Sequence, residues 1–408
     1  MTETTAESAR SVRLMPNSPV QISQIGLFLK FLRFGALAFG GPVAQIAMLR
    51  HALVEEEGWI DPKRFNRLLA ILQILPGPEA HELCVHMGMI ARGRIGGLLA
   101  GLGFMLPGFV LMLIAGWLYT GWIAGNVHFS GLLLGIQIVV LAIILRAVTR
   151  IGQHIVETRL LAGIAIVSLS ATLMGAPFWV PLAAAALAHM LADRPWLAMA
   201  IMLALTAAAT GAAHILASSA PVASTATAAA PAPLAMLFIA GLKGGLLTFG
   251  GAYTAIPYVR GDTVTRGWIS DAAFLDGIAL AGVLPAPLVI FATFVGYVAG
   301  GPAGALAITA GMFLPAFAFS LIFFERLEAV VENPALHHAL AGVAAAVIGI
   351  IAATFVDLAQ ATSAKVDHLA IAASTFLLAL AAAWRIRGPW VTPMLVATGG
   401  LIGWRLLP

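Results

Sequence analysis

Long apolar stretches without charge recur along nearly the whole chain, and they limit what the chain can fold into. About 20 apolar residues in helical form span the hydrocarbon core of a bilayer. Only 10% of the 408 residues are charged, whereas a soluble globular domain carries about a quarter, so that class is excluded. Ala, Leu and Gly dominate without alternating polarity, which favours helices over a β-barrel. The sequence therefore predicts an all-α polytopic membrane protein.

The sparse polar residues exclude several other classes. A single cysteine, Cys84, rules out a disulfide framework and a multi-cysteine metal site. The segment HELCVH spaces His81 and His86 five residues apart, whereas the HExxH zinc motif needs four, so no metal is expected. The net charge of +4 is spread over loops, which excludes a nucleic-acid partner. No nucleophile with a base is evident, so neither an enzyme nor a cofactor is predicted.

The two halves of the chain repeat one another. The segment FGGPVAQIAMLR that begins at Phe39 matches FGGAYTAIPYVR that begins at Phe249, and LPGP at Leu75 matches LPAP at Leu284. Such similarity at matched spacing indicates a duplicated unit. We predict a cytoplasmic N-terminal tail at 1–21, a first repeat at 22–193, an unpaired helix and external linker at 194–233, and a second repeat at 234–408.

The unpaired helix, at residues 195–215, would turn the second repeat upside down relative to the first. The positive-inside rule supports this, because Arg92 and Arg94 occupy a turn whose second-half counterpart, VAGGPAG, has no charge. The arginines at 146–159 then fall in a cytoplasmic loop. The sequence thus predicts two inverted-topology repeats with about 13 membrane segments. We expect a plasma (inner) membrane protein with a cytoplasmic N-terminus; the side of residues 50–67 is not fixed by charge.

Glycine and proline interrupt the apolar stretches at corresponding positions of the two repeats. Such paired breaks in inverted repeats are typical of a transporter's binding site, since each break exposes a helix N-terminus with unpaired amides that attract an anion. The alternative is a set of packing kinks. The predicted breaks are Gly40-Gly41-Pro42, Pro76-Gly77-Pro78 and Pro107-Gly108 in the first repeat, and Gly250-Gly251, Pro285-Ala286-Pro287 and Pro315 in the second.

One basic residue precedes the first break in each repeat. Arg33 and Lys243 occupy equivalent positions six residues before each FGG segment, so we expect them to contact a bound anion. A lysine or arginine at the centre of a membrane helix costs about 2.5–3.5 kcal/mol, and a ligand would offset that cost. The alternative is that both side chains extend to the membrane interface. Lys30, one turn earlier, is expected to be structural.

Acidic residues follow the second break in the first repeat only. Glu79 and Glu82 lie three residues apart, and Glu82 and His86 four apart, so the three share a helix face and form a candidate proton relay. The matching segment PLVIFATFV has nothing titratable. The alternative is a local patch of ion pairs with Arg33 or Lys30.

At these residues the chain resembles the chromate ion transporter family, in its long form with two homologous domains. The resemblance covers almost the whole chain and rests on the FGG segment with its downstream GWID or GWIS, and on the Pro76-Gly77-Pro78 motif. The second copy departs from the pattern, with Ala286 for the central glycine and Leu288 in place of Glu79. The resemblance implies export of chromate from the cytoplasm, driven by the proton motive force, with chromate resistance as the outcome.

Two other functions remain open from the sequence. Sulfate is a tetrahedral dianion like chromate, so it is expected to compete, and an importer of sulfate or a related oxyanion is the main alternative. A channel-forming protein is a third reading, which the inverted repeats and the one-sided acidic residues disfavour. The expected partners are chromate or sulfate, protons and the lipid bilayer, with a homodimer as the default oligomeric state.

Overall fold

The computed structural model describes residues 22–39, 41–72, 77–219, 232–248, 252–323, 334–386, 388 and 390–407. Throughout these ranges the regular structure is helical and no strand occurs. The predicted N-terminal tail and the linker residues 220–231 lie outside them.

The helices follow one another along the chain. In the first half they are α1 (Gln24–Ala36), α2 (Gly41–Arg50), α3 (Pro62–Leu72), α4 (Glu79–Leu118), α5 (Ser130–Ile155), α6 (Arg159–Leu173), α7 (Trp179–Met190) and α8 (Pro195–Ser219). In the second half they are α9 (Leu234–Leu246), α10 (Ile256–Thr263), α11 (Asp271–Val283), α12 (Phe291–Phe323), α13 (Pro334–Ser363), α14 (Leu369–Arg385) and α15 (Val391–Leu406). Short π or 3₁₀ turns lie at His51–Glu56, Tyr119–Ile123, Val127–Phe129, Ala252–Ala255 and Leu288–Ile290.

Several helices have the length and apolar composition needed to cross a membrane. Among the described residues there are five: Glu79–Ile123, Val127–Ile155, Pro195–Ala212, Leu288–Ile322 and His338–Ser363. Four shorter apolar helices, α6, α7, α9 and α14, accompany them. Large apolar side chains such as Trp117, Trp122 and Trp196 are exposed on the outside of the bundle, where lipid would cover them. A multi-pass α-helical membrane protein is therefore confirmed, while the count of about 13 segments stays a prediction.

The two longest segments, α4 and α12, are each folded back into a hairpin of two limbs. The backbone leaves helical geometry at Arg92-Gly93 in α4 and at Gly300-Gly301 in α12, with φ of 61° at Gly93 and 64° at Gly301. That left-handed conformation favours glycine. A Cβ atom added to Gly88 would overlap the carbonyl oxygen of Gly96, so the limbs run antiparallel in close contact. The turn lies at the position predicted from the sequence.

Small residues bring α1 against α4, and α9 against α12. A Cβ atom added to Gly35 would overlap the carbonyl oxygen of Phe104, and one added to Gly245 would overlap that of Met312. Gly35 and Gly245 are equivalent in the two repeats, so the duplicated sequence forms the same helix contact twice. Close backbone approach of this kind is how helices associate in lipid, where burial of apolar surface gives little gain.

In the rest of the bundle, helices of each half pack against helices of the other half. Helix α5 of the first half packs against α14 and α15 of the second, whereas α13 of the second half packs against α6 and α7 of the first. One apolar core accordingly includes Met112 and Val140 together with Phe274 and Phe291. The division of the chain at residues 193 and 234 stays a prediction.

One predicted feature is wrong. Pro107-Gly108 and Pro315 do not break their helices, because α4 and α12 keep helical backbone angles there. A proline removes one backbone hydrogen bond, and a packed neighbouring helix makes that loss tolerable within a membrane bundle. Gly103, one turn before Pro107, is in contact with the backbone of α1 at Phe28, which holds this limb in place.

Candidate functional site

A cavity of about 600 Å³ lies where the interrupted helices of both halves begin. Its walls include Gly41 at the start of α2, Glu79 at the start of α4, Ala252 at the turn before α10, and Leu288 at the turn before α12. Helix starts present unpaired amides and a positive partial charge of about half a unit. Two predicted breaks from each repeat thus converge on one space.

The local sequence explains why helices begin at this cavity. Gly41 has a φ of +79°, outside the helical region, and Pro42 follows it as the second residue of α2. Pro78 precedes α4 with φ −76° and ψ 98°, and no side chain caps that helix start. Pro287 likewise precedes the turn at Leu288–Ile290, and no side chain caps that turn. At the start of α4 and at the turn Leu288–Ile290, no side chain caps the first amides.

Helix α5 lines one wall of the cavity with basic side chains. Arg146, Arg150 and His154 are spaced four residues apart, so they lie on one face of the helix, and all three line the cavity together with Glu79. Arg146 is half-buried and Arg150 is exposed. With both arginines charged against one carboxylate, the cavity carries a positive balance. The arginines were not predicted as site residues, because the positive-inside rule placed them in a cytoplasmic loop, whereas they lie on α5.

Hydrogen bonds between the halves hold the cavity walls. The Gln45 side-chain amide on α2 donates to the carbonyl oxygens of Ala38 at 2.9 Å and of Ala286 at 3.0 Å, and so ties the first break of one repeat to the second break of the other. The Gly77 backbone N–H donates to the carbonyl oxygen of Thr248 at 2.8 Å. Both breaks are thereby positioned by the opposite repeat.

The three candidate proton-relay residues lie on the first limb of α4. Glu79 is half-buried and faces the cavity, whereas Glu82 and His86 are buried. Glu82 is 0% exposed, and neither of its carboxylate oxygens has a hydrogen-bond partner among the described residues. It lies against Gly77, where an added Cβ atom would overlap the carboxylate. An ion pair of Glu82 with Lys30 is not formed, because Lys30 pairs with Glu57.

The two basic residues predicted to bind the anion lie away from this cavity. Arg33 is exposed on α1, and neither it nor Lys243 is among the cavity's lining residues. Lys243 pairs with Asp262 at 3.0 Å and lies 5.7 Å from the centre of the Phe178 ring.

Of the remaining predicted residues, some line the cavity and others lie outside the described residues. Gly41 and Pro42 line the cavity; of the Pro285-Ala286-Pro287 break, Ala286 lines it. Gly40, Pro76, Gly250 and Gly251 lie outside the described residues. In the described part of the chain, no three His, Cys, Asp or Glu side chains are grouped to hold a metal ion.

Comparison with known proteins identifies the family. A sequence model described as chromate transporter matches the chain twice, at residues 25–237 and 235–404. The chain belongs to the chromate transporter family. The two family matches meet at residues 235–237, near the start of α9.

The chain is similar over nearly its whole length to curated members of the chromate transporter family. It is 54% identical over 392 residues to a protein named chromate transport protein from Pseudomonas aeruginosa, covering 96% of this chain and 94% of that protein. It is 30% identical to a protein of the same name from Cupriavidus metallidurans, with 92% of each chain covered. No solved structure gives a significant match. The family match indicates transport rather than catalysis.

Proposed function

We propose that this protein exports chromate from the cytoplasm through the cavity at the helix breaks, driven by the proton motive force, and so confers chromate resistance. Membership of the chromate transporter family supports chromate as the transported substrate. The observation that carries the site is the convergence of helix starts from both halves on the face of α5 that holds Arg146 and Arg150.

The chemistry of the cavity suits a tetrahedral dianion. Helix N-termini stabilise anions through free amides and the helix dipole. A guanidinium group adds charge-assisted hydrogen bonds, which are roughly twice as strong as neutral ones. Arg146 and Arg150 are therefore the proposed anion contacts, with the amides at Gly41 and at the start of α4 completing the shell.

The residues predicted from the sequence keep roles within this proposal. The glycines and prolines of the breaks shape the helix starts: Gly40, Gly41, Pro42, Pro76, Gly77, Pro78, Gly250, Gly251, Pro285 and Pro287. Arg33 and Lys243 stay candidate anion ligands on sequence grounds alone. Because both lie away from the cavity, they would meet the anion on its way in or out.

Protons are proposed to bind along the first limb of α4. Glu79 faces the cavity, so its carboxylate lies beside the proposed anion position. Glu82, one turn further, is buried without a hydrogen-bond partner in the described residues, a costly arrangement for a charge that protonation would relieve. With His86 these residues would move protons between the cavity and the interior of α4.

The proposed orientation follows from charge. Arg92 and Arg94 at the α4 hairpin turn are placed in the cytoplasm, and the uncharged Gly300-Gly301 turn outside. With about 13 segments in the inner membrane, the N-terminus would be cytoplasmic and the repeats inverted. A dianion that leaves a negative-inside cell gains about 2.3 kcal/mol per charge per 100 mV, which favours export.

Flux measurements in inside-out membrane vesicles test the proposal. Vesicles that contain the protein are energised by respiration, and the accumulation of labelled chromate is followed before and after an uncoupler, with sulfate as competitor. We expect accumulation that the uncoupler collapses and that Arg146→Gln reduces, since that change removes one charge from the cavity.

The same experiment addresses the alternative. Sulfate has the same shape and charge as chromate, so the cavity would accept it. If inside-out vesicles do not accumulate chromate while intact cells take up sulfate or chromate, the export proposal fails and import of an oxyanion replaces it.

A further inference from the structure

A carboxyl group of the second half is buried within the bundle at a position that the chromate site does not use. Asp276 on α11 is 2% exposed. Its Oδ2 accepts a hydrogen bond from the Tyr119 hydroxyl at 2.9 Å, and its Oδ1 accepts one from the Gln137 side-chain amide at 3.0 Å. Both donors belong to the first half, so this carboxyl joins the two repeats.

The surroundings of Asp276 are otherwise apolar. Among the described residues no ion pair is formed by Asp276, and Lys365, in the turn after α13, contributes a positive charge at longer range. Helix α12 contributes Phe294, whose ring centre lies 5.0 Å from that of Tyr119. Helix α15 lines the adjoining space with apolar residues, among them Val396 and Leu401. A charged side chain inside a membrane protein is energetically unfavourable, so an ionisable residue found there indicates a functional site.

The segment that begins with α11 borders two open spaces, one at Asp276 and the other beyond it along the chain. It borders a second cavity of about 550 Å³, together with Tyr119 and apolar residues of α5 and α15. The C-terminal end of the same helix, at Ala281, Gly282 and Leu284, lines the proposed anion cavity. A change at Asp276 therefore acts on a short rigid helix whose far end forms a wall of the anion site.

We propose that Asp276, with Tyr119 and Gln137, is a second proton-binding site, located in the second repeat and separate from Glu79 and Glu82. The carboxylate takes up one proton to become a carboxylic acid and later releases the same proton; no other bond forms or breaks. The deprotonated group accepts from both donors and holds α11 to the first half. Protonation removes the charge that strengthens both hydrogen bonds, so the hold of α11 on the first half is weakened and α11 is freer to move.

The proposal rests on the proposed proton-coupled export, and transport by the purified protein in liposomes tests it. An imposed pH gradient drives labelled chromate, and chromate counterflow, which needs no net proton movement, is measured in parallel. For Asp276→Asn we expect gradient-driven accumulation to fall by about tenfold or more while counterflow is kept, as for a coupling residue. Asp276→Glu should restore part of the accumulation. Asp193→Asn, which removes an exposed carboxyl between α7 and α8, should behave as the unchanged protein.

Full gradient-driven accumulation by Asp276→Asn overturns the proposal, and so does loss of counterflow together with accumulation in a variant that still folds. Infrared titration of the protein separates this failure from that of the proposed function, because it reads protonation without transport. A carboxylic-acid band that titrates with pH and disappears in Asp276→Asn supports the site even if the unchanged protein shows no export. The absence of such a titrating band overturns it.

Discussion

Arginine side chains on α5 set the electrostatics of the proposed anion site. Arg146 and Arg150 line the cavity one turn apart, on the same face as His154. An arginine within the hydrocarbon region of a bilayer is unfavourable unless it faces water, a partner or a ligand. A cavity of about 600 Å³ has room for water beside both side chains, and a bound dianion would be a ligand for them. Under the proposed function, the bound anion would contribute to offsetting the cost of both arginines.

Replacement of Arg150 by glutamine should weaken chromate binding. Loss of a hydrogen bond to a charged group costs about 1.5–3 kcal/mol, which raises the half-saturation concentration about ten- to a hundredfold. Initial rates of chromate flux at increasing concentration measure the effect. Arg159→Gln, at the exposed start of α6, removes the same charge outside the cavity and serves as the control. If Arg150→Gln leaves the half-saturation concentration unchanged, Arg150 does not contact the anion; Arg33→Gln tests that residue in the same way.

Replacement of Glu82 by glutamine should raise the stability of the protein and abolish proton-driven transport. Its carboxylate is fully buried without a hydrogen-bond partner in the described residues, so neutralising it removes a desolvation cost of about 1–3 kcal/mol. We expect Glu82→Gln to raise the thermal stability of the purified protein and to abolish uncoupler-sensitive chromate accumulation. Glu79→Gln, at the cavity wall, is the comparison and should change stability less because Glu79 is only half-buried. Lower stability of Glu82→Gln would contradict this account of the buried carboxylate.

The sequence led to some of these residues and not to others, for physical reasons. Gly41 and Pro42 belong to one of the paired glycine and proline breaks, and Glu79 follows another. Such breaks can be recognised in a sequence because glycine and proline disfavour the continuation of a helix. Arg146 and Arg150 were missed because the positive-inside rule treats any arginine cluster as a loop signal. Asp276 was not predicted because it lies outside the glycine and proline breaks that mark the other site residues. An acid in the middle of a helix that is otherwise apolar after its first residue, Asp271, was the available signal.

Among the elements, the two hairpins with their attached helices are the repeated structural unit. The glycines at 93 and 301 reverse the chain with nearly identical backbone angles, although the neighbouring residues differ. Helices α1 and α9 then lie against the second limb of each hairpin through Gly35 and Gly245. The turns were predictable from glycine, charge and repeat pattern together. The continuity of α4 through Pro107 could not be predicted from the sequence, since it depends on the packing of α1 against that limb.

Substitution of a contact glycine should loosen this unit. A Cβ atom on Gly35 would overlap the backbone oxygen of Phe104, which a flexible side chain cannot relieve, so Gly35→Ala should destabilise by about 1–3 kcal/mol. Gly245→Ala should behave alike in the second repeat. Gly211→Ala on α8 meets open space and should be neutral or stabilising, because alanine favours helices by about 1 kcal/mol over glycine. Thermal unfolding in detergent measures all three; equal stability of Gly35→Ala and Gly211→Ala would show that the contact is not tight.

At the scale of the whole molecule, each half is completed by the other. Helix α5 packs against α14 and α15, and α13 against α6 and α7, so the helices that follow each hairpin are shared across the repeats. The walls of the anion cavity come from both halves, and Gln45 ties them together. Movement of one half relative to the other would therefore change the cavity itself. That is the behaviour expected of a transporter with its site between two repeats.

The inverted arrangement of the repeats can be tested at the two hairpin turns. Arg94 and Ala303 are both exposed at these turns, and the proposed topology places Arg94 in the cytoplasm and Ala303 outside. Cys84 is the single native cysteine and is buried, so Arg94→Cys and Ala303→Cys in a Cys84→Ala background give one labelling site each. A membrane-impermeant maleimide added to intact cells should label the Ala303→Cys protein, and the same reagent on inside-out vesicles should label the Arg94→Cys protein. If both turns react from the same side, the repeats have parallel topology. The helix starts would then still meet at the cavity, but the charge difference between the turns would need another cause, and the cytoplasmic N-terminus would lose its support.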